Sequence, residues 1–409
     1  MKRWLLLYED HDWRALRPLT DLTPVPALVF GAATIAERWL RAAGCPLLAI
    51  EARRAALSAW ADAPVSEADR ARPEDEVLVV NAAVQPGPWL AAAVAASAPA
   101  RLVGDGRVAG ARLPFSMISA ALGHGEDFEA ALAACKLPDL PVDALFLSRP
   151  WDLIEANADA IADDLAGIEP ENFGEIHHLA SLEGADRIRV EAGAVVEAFV
   201  VLDARGGPIL IGPGARIAAH TAVTGPCVIG PGTQLLGGSV VRSTFGPQCR
   251  VAGEIEESVW QGYANKRHHG FVGHSAIGEW VNLGALTTTS DLKNNYGTIR
   301  VWVDGVEVES GRTKIGALIG AHAKTGIGTL LPTGASVGVG ANLFGGGLFA
   351  PKRVPSFGWW DGERMAEHAL DRFLATARTV MSRRGHALLP ADETLLIATF
   401  EATARERKT

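Results

Sequence analysis

Residues 209–242 read ILIGPGARIAAHTAVTGPCVIGPGTQLLGGSVVR, and an aliphatic residue recurs in this stretch at every sixth position. The recurring residues are Ile211, Ile217, Val223, Ile229, Leu235 and Val241. This period fits neither an α-helix, which repeats about every 3.6 residues, nor an ordinary strand, which alternates about every two. It is typical of a solenoid in which each hexapeptide forms one short flat face and a turn, so that three faces close one coil. Because the phase is sustained, we prefer this fold to a generic glycine-rich β domain.

The same phase returns beyond residue 270 and extends the predicted solenoid to about residue 349. The later positions in phase are Phe271, Ile277, Leu283, Ile315, Ala321, Ile327 and Val339. We predict that each of these side chains points into the coil and stacks on its counterpart in the next coil. The polar stretch 287–297, TTTSDLKNNYG, breaks the period. Such an excursion from a regular solenoid is where a binding loop is expected.

Residues 1–185 alternate short apolar runs with helical patterns. Strands are predicted at Trp4–Tyr8, Leu47–Ile50 and Glu76–Asn81, and helices at Ala32–Ala43, Trp89–Ala96, Asp127–Cys135 and Asp152–Ala166. This alternation is typical of a Rossmann-like α/β domain with a mostly parallel sheet, whose ligands bind beyond the carboxyl ends of the strands. Residues 186–355 are expected to form the β-helix domain. Two helical patterns within 356–409 are expected to cap its last coil.

The net charge, the N-terminal sequence and the cysteine pattern argue against several classes of protein. The formal net charge of −9 argues against nucleic-acid binding. The apolar run at the N-terminus meets Glu9 and Asp10 at once, so neither a signal peptide nor a membrane span is expected. Four scattered cysteines without a CxxC pair favour reduced thiols in the cytoplasm over disulfides or a zinc site.

Two stretches carry candidate chemistry. The loop 9–26 holds Arg14 and Arg17, which either bind the phosphates of a nucleotide or sugar phosphate or lie on the surface of a proline-stiffened loop. This loop contains no GxGxxG or P-loop motif. The run 265–274, NKRHHGFVGH, holds three histidines, one of which could act as a general base near neutral pH. A metal site is disfavoured because no carboxylate or thiolate stands at ligand spacing, and a merely basic surface is the remaining alternative.

The hexapeptide coils, the run NKRHHGFVGHSAIGEWVNLGA (265–285) and the run SDLKNNYGT (290–298) resemble a known family. It is the family of bifunctional UDP-N-acetylglucosamine pyrophosphorylase / glucosamine-1-phosphate N-acetyltransferases, and more narrowly a divergent branch labelled sugar nucleotidyltransferase. The stretches LRPLTDLTPVPALVFG (16–31) and SRPWDLIEANADAI (148–161) resemble that branch as well. The resemblance implies a left-handed parallel β-helix, acetyl-CoA as cosubstrate, and a homotrimer with its sites between neighbouring subunits.

Carried over by position, the resemblance implies roles for individual residues. His268 stands at the family's catalytic base, Asn282 at the residue that holds the base or the amino sugar, and Ala285 where a backbone N–H meets the thioester oxygen. Arg353, with its neighbour Lys352, matches an arginine that contacts coenzyme A. The expected substrate contacts are Lys266, Phe271, Arg14 and Arg17.

The chain also departs from the family pattern. Phe271 stands where the family has a tyrosine near the sugar, and Asp291-Leu292 replaces an Asn-Tyr pair. The first domain lacks the family's GxGTRM loop, and Val25 stands near the place of its lysine. The strand that ends at Asn81 lacks the aspartate that holds Mg²⁺. Mg²⁺ is therefore a possible, and not a required, cofactor of this domain.

These features predict an enzyme of UDP-N-acetylglucosamine biosynthesis. The predicted reaction is acetyl-CoA-dependent N-acetylation of an amino-sugar phosphate similar to glucosamine 1-phosphate, with a first domain that resembles a sugar-1-phosphate nucleotidyltransferase. In one alternative, the first domain is the enzyme and the β-helix only assembles the trimer. In the other, the chain is a non-catalytic sensor or scaffold that binds a sugar nucleotide.

Overall fold

The computed structural model describes residues 2–95, 98–167 and 172–408. The chain divides into two compact units, and the second unit comprises residues 17–22, 29–32 and 149–409. The first unit holds the remainder up to residue 148. This division falls earlier than the boundary expected near residue 185, because the helices that follow residue 149 pack on strands of the second unit.

Residues 1–148 contain eight strands and five α-helices within the described ranges. The strands are β1 (Arg3–Tyr8), β2 (Val29–Phe30), β3 (Ala33–Thr34), β4 (Leu47–Glu51), β5 (Glu76–Asn81), β6 (Ala100–Gly104), β7 (Arg107–Pro114) and β8 (Asp139–Pro141). The helices are α1 (Ile35–Ala43), α2 (Arg54–Ala59), α3 (Trp89–Ala95), α4 (Phe115–Ile118) and α5 (Phe128–Ala134). The strands and helices predicted here are all found, with small shifts at their ends. Ala96, the expected last residue of α3, lies outside the described residues.

Six of these strands form one sheet in the order β4-β1-β5-β7-β6-β8. β1 runs parallel to both β4 and β5, and β6 runs parallel to β8. The sheet is mostly parallel, as expected, and the exception is β7, which is antiparallel to β5 and β6. The reason is the two-residue turn Asp105-Gly106 between β6 and β7. Its φ angles of 49° and 76° suit a tight hairpin.

The central strands β1 and β5 of this sheet end at an edge that carries polar residues. Every residue of β1 from Trp4 to Tyr8 is buried, and so is every residue of β5. Continuous burial is typical of a central strand in a sheet that is covered on both faces. Tyr8 and Asn81 are partners in the register, so the carboxyl ends of β1 and β5 meet at the same edge.

The second unit begins with two helices and continues as a solenoid of short strands. The helices are α6 (Pro150–Glu155) and α7 (Asn157–Asp164), so the single helix predicted over Asp152–Ala166 is two shorter ones. The strands of the early coils are β9 (Glu175–Ile176), β10 (Ser181–Glu183), β11 (Ile188–Val190), β12 (Val195–Val196), β13 (Val201–Asp203), β14 (Ile209–Ile211), β15 (Arg216–Ile217), β16 (Thr221–Thr224), β17 (Cys227–Ile229), β18 (Gln234–Val241), β19 (Thr244–Phe245), β20 (Arg250–Glu256) and β21 (Val259–Trp260). Those of the later coils are β22 (Asn265–Lys266), β23 (Phe271–Gly273), β24 (Ala276–Ile277), β25 (Asn282–Leu283), β26 (Thr288–Thr289), β27 (Arg300–Val303), β28 (Val306–Glu309), β29 (Ala317–Ile319), β30 (Lys324–Thr325), β31 (Leu330–Leu331), β32 (Ala335–Val337), β33 (Asn342–Leu343), β34 (Arg353–Val354), β35 (Gly358–Trp360) and β36 (Met365–Glu367).

The solenoid has three faces, to which successive coils add parallel strands. One face is a nine-stranded sheet in the order β11-β14-β17-β19-β21-β24-β29-β32-β34. The other two faces share a fifteen-stranded sheet, because the first residues of β18 pair with β15 and its last residues pair with β16. The predicted parallel β-helix is therefore confirmed.

The hexapeptide phase identifies inward residues well up to Leu283 and poorly after the insertion. The residues that belong to the apolar interior of the coil as predicted are Ile211, Ile217, Val223, Ile229, Leu235, Ile277 and Leu283. The prediction is wrong at Val241 and Phe271, whose neighbours Val240 and Val272 are buried instead, and at Ile327, which lies in a turn and is 72% exposed. Ile315 and Ala321 are buried but lie outside the interior cluster, and Val339 is buried against α8. The cause is the length of the coils, because the number of residues in a coil is not always a multiple of six.

The polar stretch predicted to interrupt the solenoid opens an insertion. The chain leaves and rejoins the coil where Leu292 forms a β-bridge with Lys314, and the antiparallel hairpin β27–β28 lies between them. After the last coil come helices α8 (Leu370–Ser382) and α9 (Pro390–Ala402). Phe373 of α8 packs with Val339 and Phe357 of the last coils.

Candidate active site

Two turns of neighbouring coils stack in register on the β-helix. Asn265 in β22 pairs with Asn282 in β25, seventeen positions further along the chain. The Leu286 N–H donates to the His269 carbonyl over 2.9 Å, and these residues are separated by the same number of positions. The turn that follows β22 therefore stacks directly on the turn that follows β25.

This register sets His268 beside Ala285 of the next coil. The side chain of His268 is exposed, as is required of a base that must meet a substrate. The Ala285 carbonyl accepts a hydrogen bond from the Gly328 N–H over 2.8 Å, whereas the Ala285 N–H has no acceptor in the part of the chain that the structure describes. A backbone N–H without an acceptor, on a residue in register with an exposed histidine, is suited to stabilising an oxygen on which negative charge develops.

Asn282 joins the same pair of coils. The Asn265 Nδ2 donates to the Asn282 Oδ1 over 2.7 Å, which fixes the orientation of the Asn282 amide. Asn282 is half-buried, and Lys324 of the following coil is its partner in the sheet. The structure therefore brings together three residues to which the resemblance gives roles, namely His268, Asn282 and Ala285.

Lys266, an expected substrate contact, is fully buried inside the coil. Its Nζ donates to the His268 carbonyl over 2.7 Å. Burial lowers the pKa of this amine to about 8. The amine therefore contacts the backbone of the turn that carries His268, and its position does not favour the expected contact with a ligand at the surface.

Phe271, the other expected substrate contact on the coil, lies next to a cluster of ionised side chains. Its ring and the Asp291 carboxylate both flank Gly273. The His274 Nδ1 lies 2.8 Å from Asp291 Oδ2, and its Nε2 lies 3.4 Å from Glu257 Oε2. Although burial opposes protonation, the two carboxylates raise the pKa of His274 to about 9. His274 is therefore a fixed cation at the base of the insertion.

The hairpin β27–β28 lies over the two cations that the resemblance assigns to coenzyme A. The Arg353 guanidinium carbon lies 5.0 Å from the centre of the Trp302 ring. The Lys352 Nζ lies 3.7 Å from Glu307 Oε1. Arg353 has no carboxylate partner among the described residues, so stacking on Trp302 leaves its N–H edges available to an anion. Sequence reasoning missed Trp302. The turn Asp304-Gly305 between alternating apolar residues could have identified the hairpin, but no local pattern indicates that the hairpin folds onto Arg353.

The two loop arginines have different surroundings. Arg14 is exposed, and its guanidinium carbon lies 4.7 Å from the centre of a neighbouring tryptophan ring. Arg17 forms ion pairs with three carboxylates, those of Asp21, Asp304 and Glu406. Although burial opposes it, these carboxylates raise the pKa of Arg17. The contacts of Arg17 favour a structural role, whereas those of Arg14 leave it available to a phosphate.

Polar side chains are buried at the carboxyl edge of the sheet in the first unit. The Asn81 Nδ2 and the Arg107 Nη2 each donate to Asp10 Oδ2 over 2.7 Å. Arg107 also lies 3.0 Å from Asp12. Within the described ranges, no group of three His, Cys, Asp or Glu side chains is arranged to hold a metal ion. The Asp10 carboxylate at this edge is already paired with the Arg107 guanidinium, and we derive no step through Mg²⁺.

Sequence reasoning missed Asp10 and Arg107 as polar residues of this edge. Asp10 follows a buried strand by two positions, which is the signal that could have found it. Arg107 gives no such signal, because it opens the antiparallel strand β7 and reaches Asp10 only through the hairpin.

These features define a chain with an α/β unit of the nucleotidyltransferase kind followed by a parallel β-helix. Residues 5–172 match the family described as sugar nucleotidyl transferase. Over 183 residues the chain is 29% identical to the bifunctional sugar-1-phosphate nucleotidylyltransferase/acetyltransferase of Sulfurisphaera tokodaii, a match that covers 44% of this chain. The chain spans 39% of the length of that curated relative. These matches support the resemblance inferred from the sequence.

The similar solved structures have low sequence identities and low TM-scores. UDP-N-acetylglucosamine acyltransferase of Arabidopsis shares 13% identity, with a TM-score of 0.19 and coverage of 52% of this chain and 78% of that chain. The enzyme of the same name from Campylobacter jejuni shares 12% identity, with a TM-score of 0.18 and coverage of 58% and 92%. TM-scores this low do not establish a shared fold, and it is the parallel strand pairing that shows the β-helix. None of the helices in the described ranges is both long and apolar enough to cross a membrane.

Proposed function

We propose that the β-helix transfers the acetyl group of acetyl-CoA to the amine of an amino-sugar phosphate similar to glucosamine 1-phosphate. The observation that carries the proposal is the stacking of the His268 turn on the Ala285 turn. It sets His268, whose imidazole is exposed, in register with Ala285, whose backbone N–H has no acceptor in the described residues. The curated relative, whose name includes acetyltransferase, supports the same reaction class.

The chemistry assigns one step to each group. The sugar amine, which has lost its first proton to water, attacks the thioester carbonyl, and the His268 imidazole accepts a second proton from the nitrogen as the C–N bond forms. Negative charge develops on the carbonyl oxygen, to which the Ala285 N–H donates. The C–N bond forms, the C–S bond breaks, and the departing thiolate takes a proton from the imidazolium. The products are the acetamido sugar phosphate and free coenzyme A, and Asn282 orients the sugar or the imidazole.

The test is thiol release from acetyl-CoA with a panel of amino-sugar phosphates, with the acetylated product identified by mass spectrometry. The proposal expects turnover with at least one acceptor and none with the corresponding N-acetylated sugars. Ligand binding without turnover would support a scaffold instead. Release of pyrophosphate from UTP and a sugar 1-phosphate, without any acetyl transfer, would make the first unit the enzyme.

We propose nucleotidyl transfer to a sugar 1-phosphate as the activity of the first unit. The family match over residues 5–172 supports it. Asp10, Asn81 and Arg107 meet at the edge where ligands of such sheets bind. In this proposal, exposed Arg14 contacts a nucleotide or sugar phosphate. We place both activities in the cytoplasm, since all four cysteines are free thiols.

Trp302 provides a test of how coenzyme A is held. If Trp302 orients Arg353 toward a phosphate of the donor, Trp302→Leu should raise the KM for acetyl-CoA about three- to tenfold, the effect of losing roughly 1 kcal/mol of cation–π interaction. Acetyl-pantetheine lacks the nucleotide phosphates, so its KM should not change. An equal rise for both donors would contradict this role, because it would place Trp302 near the thioester and not near the phosphates.

We propose that the active form is a homotrimer. Several apolar side chains on the late coils are more than half exposed, namely Leu286, Ile327, Leu348 and Phe349. Leu286 belongs to the same turn as Ala285, so a second copy that covers this surface would also enclose the site. Light scattering should give three times the chain mass of 43.1 kDa. The mass of a single chain at assay concentration would contradict the trimer.

A further inference from the structure

An inward row on one face of the β-helix contains a lysine among aliphatic residues. In successive coils, Leu235 pairs with Val251 and Val251 pairs with Lys266. Leu235 and Val251 are each 1% exposed, and Lys266 has no exposed surface. A lysine therefore occupies a position that the two preceding coils fill with an aliphatic side chain.

The amine of Lys266 packs inside the turn that carries His268. Its Nζ donates to the His268 carbonyl over 2.7 Å. The same Nζ lies 2.9 Å from the place where a Cβ on Gly270 would stand. Gly270 has a φ of 136°, which side chains rarely allow. Glycine at this position therefore permits the backbone conformation of the turn and also leaves space for the Lys266 amine.

The fold alone does not explain a lysine at this position. No carboxylate among the described residues pairs with Lys266, and burial is what lowers its pKa. Removing a cation from water without a charged partner is unfavourable. An aliphatic residue would pack here without that penalty, as in the two preceding coils. The reason for a lysine therefore lies in the turn that its amine holds.

We propose that Lys266 is a positioning residue for the acyl transfer, whose buried amine fixes the turn 267–270 from inside the coil and so holds the His268 imidazole toward the acceptor amine. This inference rests on the proposed function of His268. It gives Lys266 a role different from the expected substrate contact, because its amine faces the interior. Catalysis depends on such placement, since a displacement of about 1 Å can lower a rate about a hundredfold.

Lys266→Met keeps the length of the side chain and removes the amine. We expect kcat for acetyl transfer to fall about tenfold or more, while the KM values stay within about twofold of the wild type. Tm should stay the same or rise, because an unpaired buried amine is removed. Leu235→Met is the matched control, since it alters the same inward row two coils earlier and should retain kcat.

Two kinetic outcomes would overturn the proposal. In the first, Lys266→Met has the kcat of the wild type. In the second, kcat falls together with Tm, and Leu235→Met shows the same joint loss, which is the behaviour of a purely structural residue.

Amide hydrogen exchange tests the inference without an activity assay. The Leu286 N–H donates to the His269 carbonyl, so its exchange rate reports whether the turn is held. In Lys266→Met this amide should exchange about tenfold faster, while the Gly230 amide, bonded to Phe245 over 2.8 Å, should be unchanged. Unchanged exchange at Leu286 would overturn the proposal. Absence of acetyl transfer in the wild type would refute only the proposed function, and exchange would still decide whether Lys266 holds the turn.

Discussion

His268→Ala is expected to lower kcat for acetyl transfer by about a hundredfold or more, because a positioned general base contributes about 10²–10⁴-fold to such reactions. The attacking amine must lose a proton as the C–N bond forms. The imidazole of His268 is exposed and available for this, and His268 lies in register with Ala285 of the next coil. The measurement is steady-state thiol release at saturating acetyl-CoA. A loss in kcat with little change in KM would identify an interaction made in the transition state.

His269 provides the matched control in the same turn. Its side chain is also exposed, and its contact with the next coil is made by the backbone carbonyl, which alanine retains. We therefore expect His269→Ala to have a kcat close to that of the wild type. Equal losses in the two variants would mean that the whole turn is sensitive to substitution. An undiminished kcat in His268→Ala would exclude His268 as the base.

The architecture of the second unit was predictable because its main constraint is local. One aliphatic residue per hexapeptide must fill the interior, so the period of six appears directly in the sequence. The prediction fails where coil length changes. Leu235 stacks on Val251 sixteen positions further on, and Val251 stacks on Lys266 after fifteen. Because these spacings are not multiples of six, the inward-facing position shifts by one residue or more relative to the hexapeptide phase. As a result Val272, and not Phe271, is buried.

The residue types of the site were predictable, but their neighbours were not. A uniform coil of three hexapeptides would stack His268 on Leu286, whereas the observed register sets it on Ala285. The burial of Lys266 has the same origin, since a strict period would turn Asn265 inward instead. The contact of Trp302 with Arg353 depends on the path of an insertion that has no repeat to constrain it.

Arg17 illustrates a different limit of sequence reasoning. An arginine in the first loop of an α/β domain is a reasonable candidate for a phosphate contact. The structure instead groups residues 17–22 with the second unit. The partners Asp304 and Glu406 come from positions almost three and four hundred residues away in the chain, and no local pattern indicates such pairs.

Arg17→Ala is expected to lower the free energy of unfolding of the second unit by on the order of 3 kcal/mol, the lower end of the range for removing one partner of a buried ion pair. Asp21 is almost fully buried and Glu406 is largely buried, so both would be left near one another without their shared cation. Asp304 is more exposed, so the loss of its ion pair should contribute less to the fall in the free energy of unfolding. The measurement is urea denaturation of the full chain, followed by the circular dichroism of the β-helix.

Arg14→Ala is the control, because Arg14 is exposed and makes no ion pair in the described residues, so its removal should change stability little. Arg17→Lys should recover only part of the loss, since an ammonium cannot present the planar fork that meets several carboxylates at once. A phosphate-binding role for Arg17 predicts the opposite result. In that case Arg17→Ala would raise the KM for the nucleotide or sugar phosphate and leave the free energy of unfolding unchanged. Arg17 would then be assigned to the phosphate-binding site.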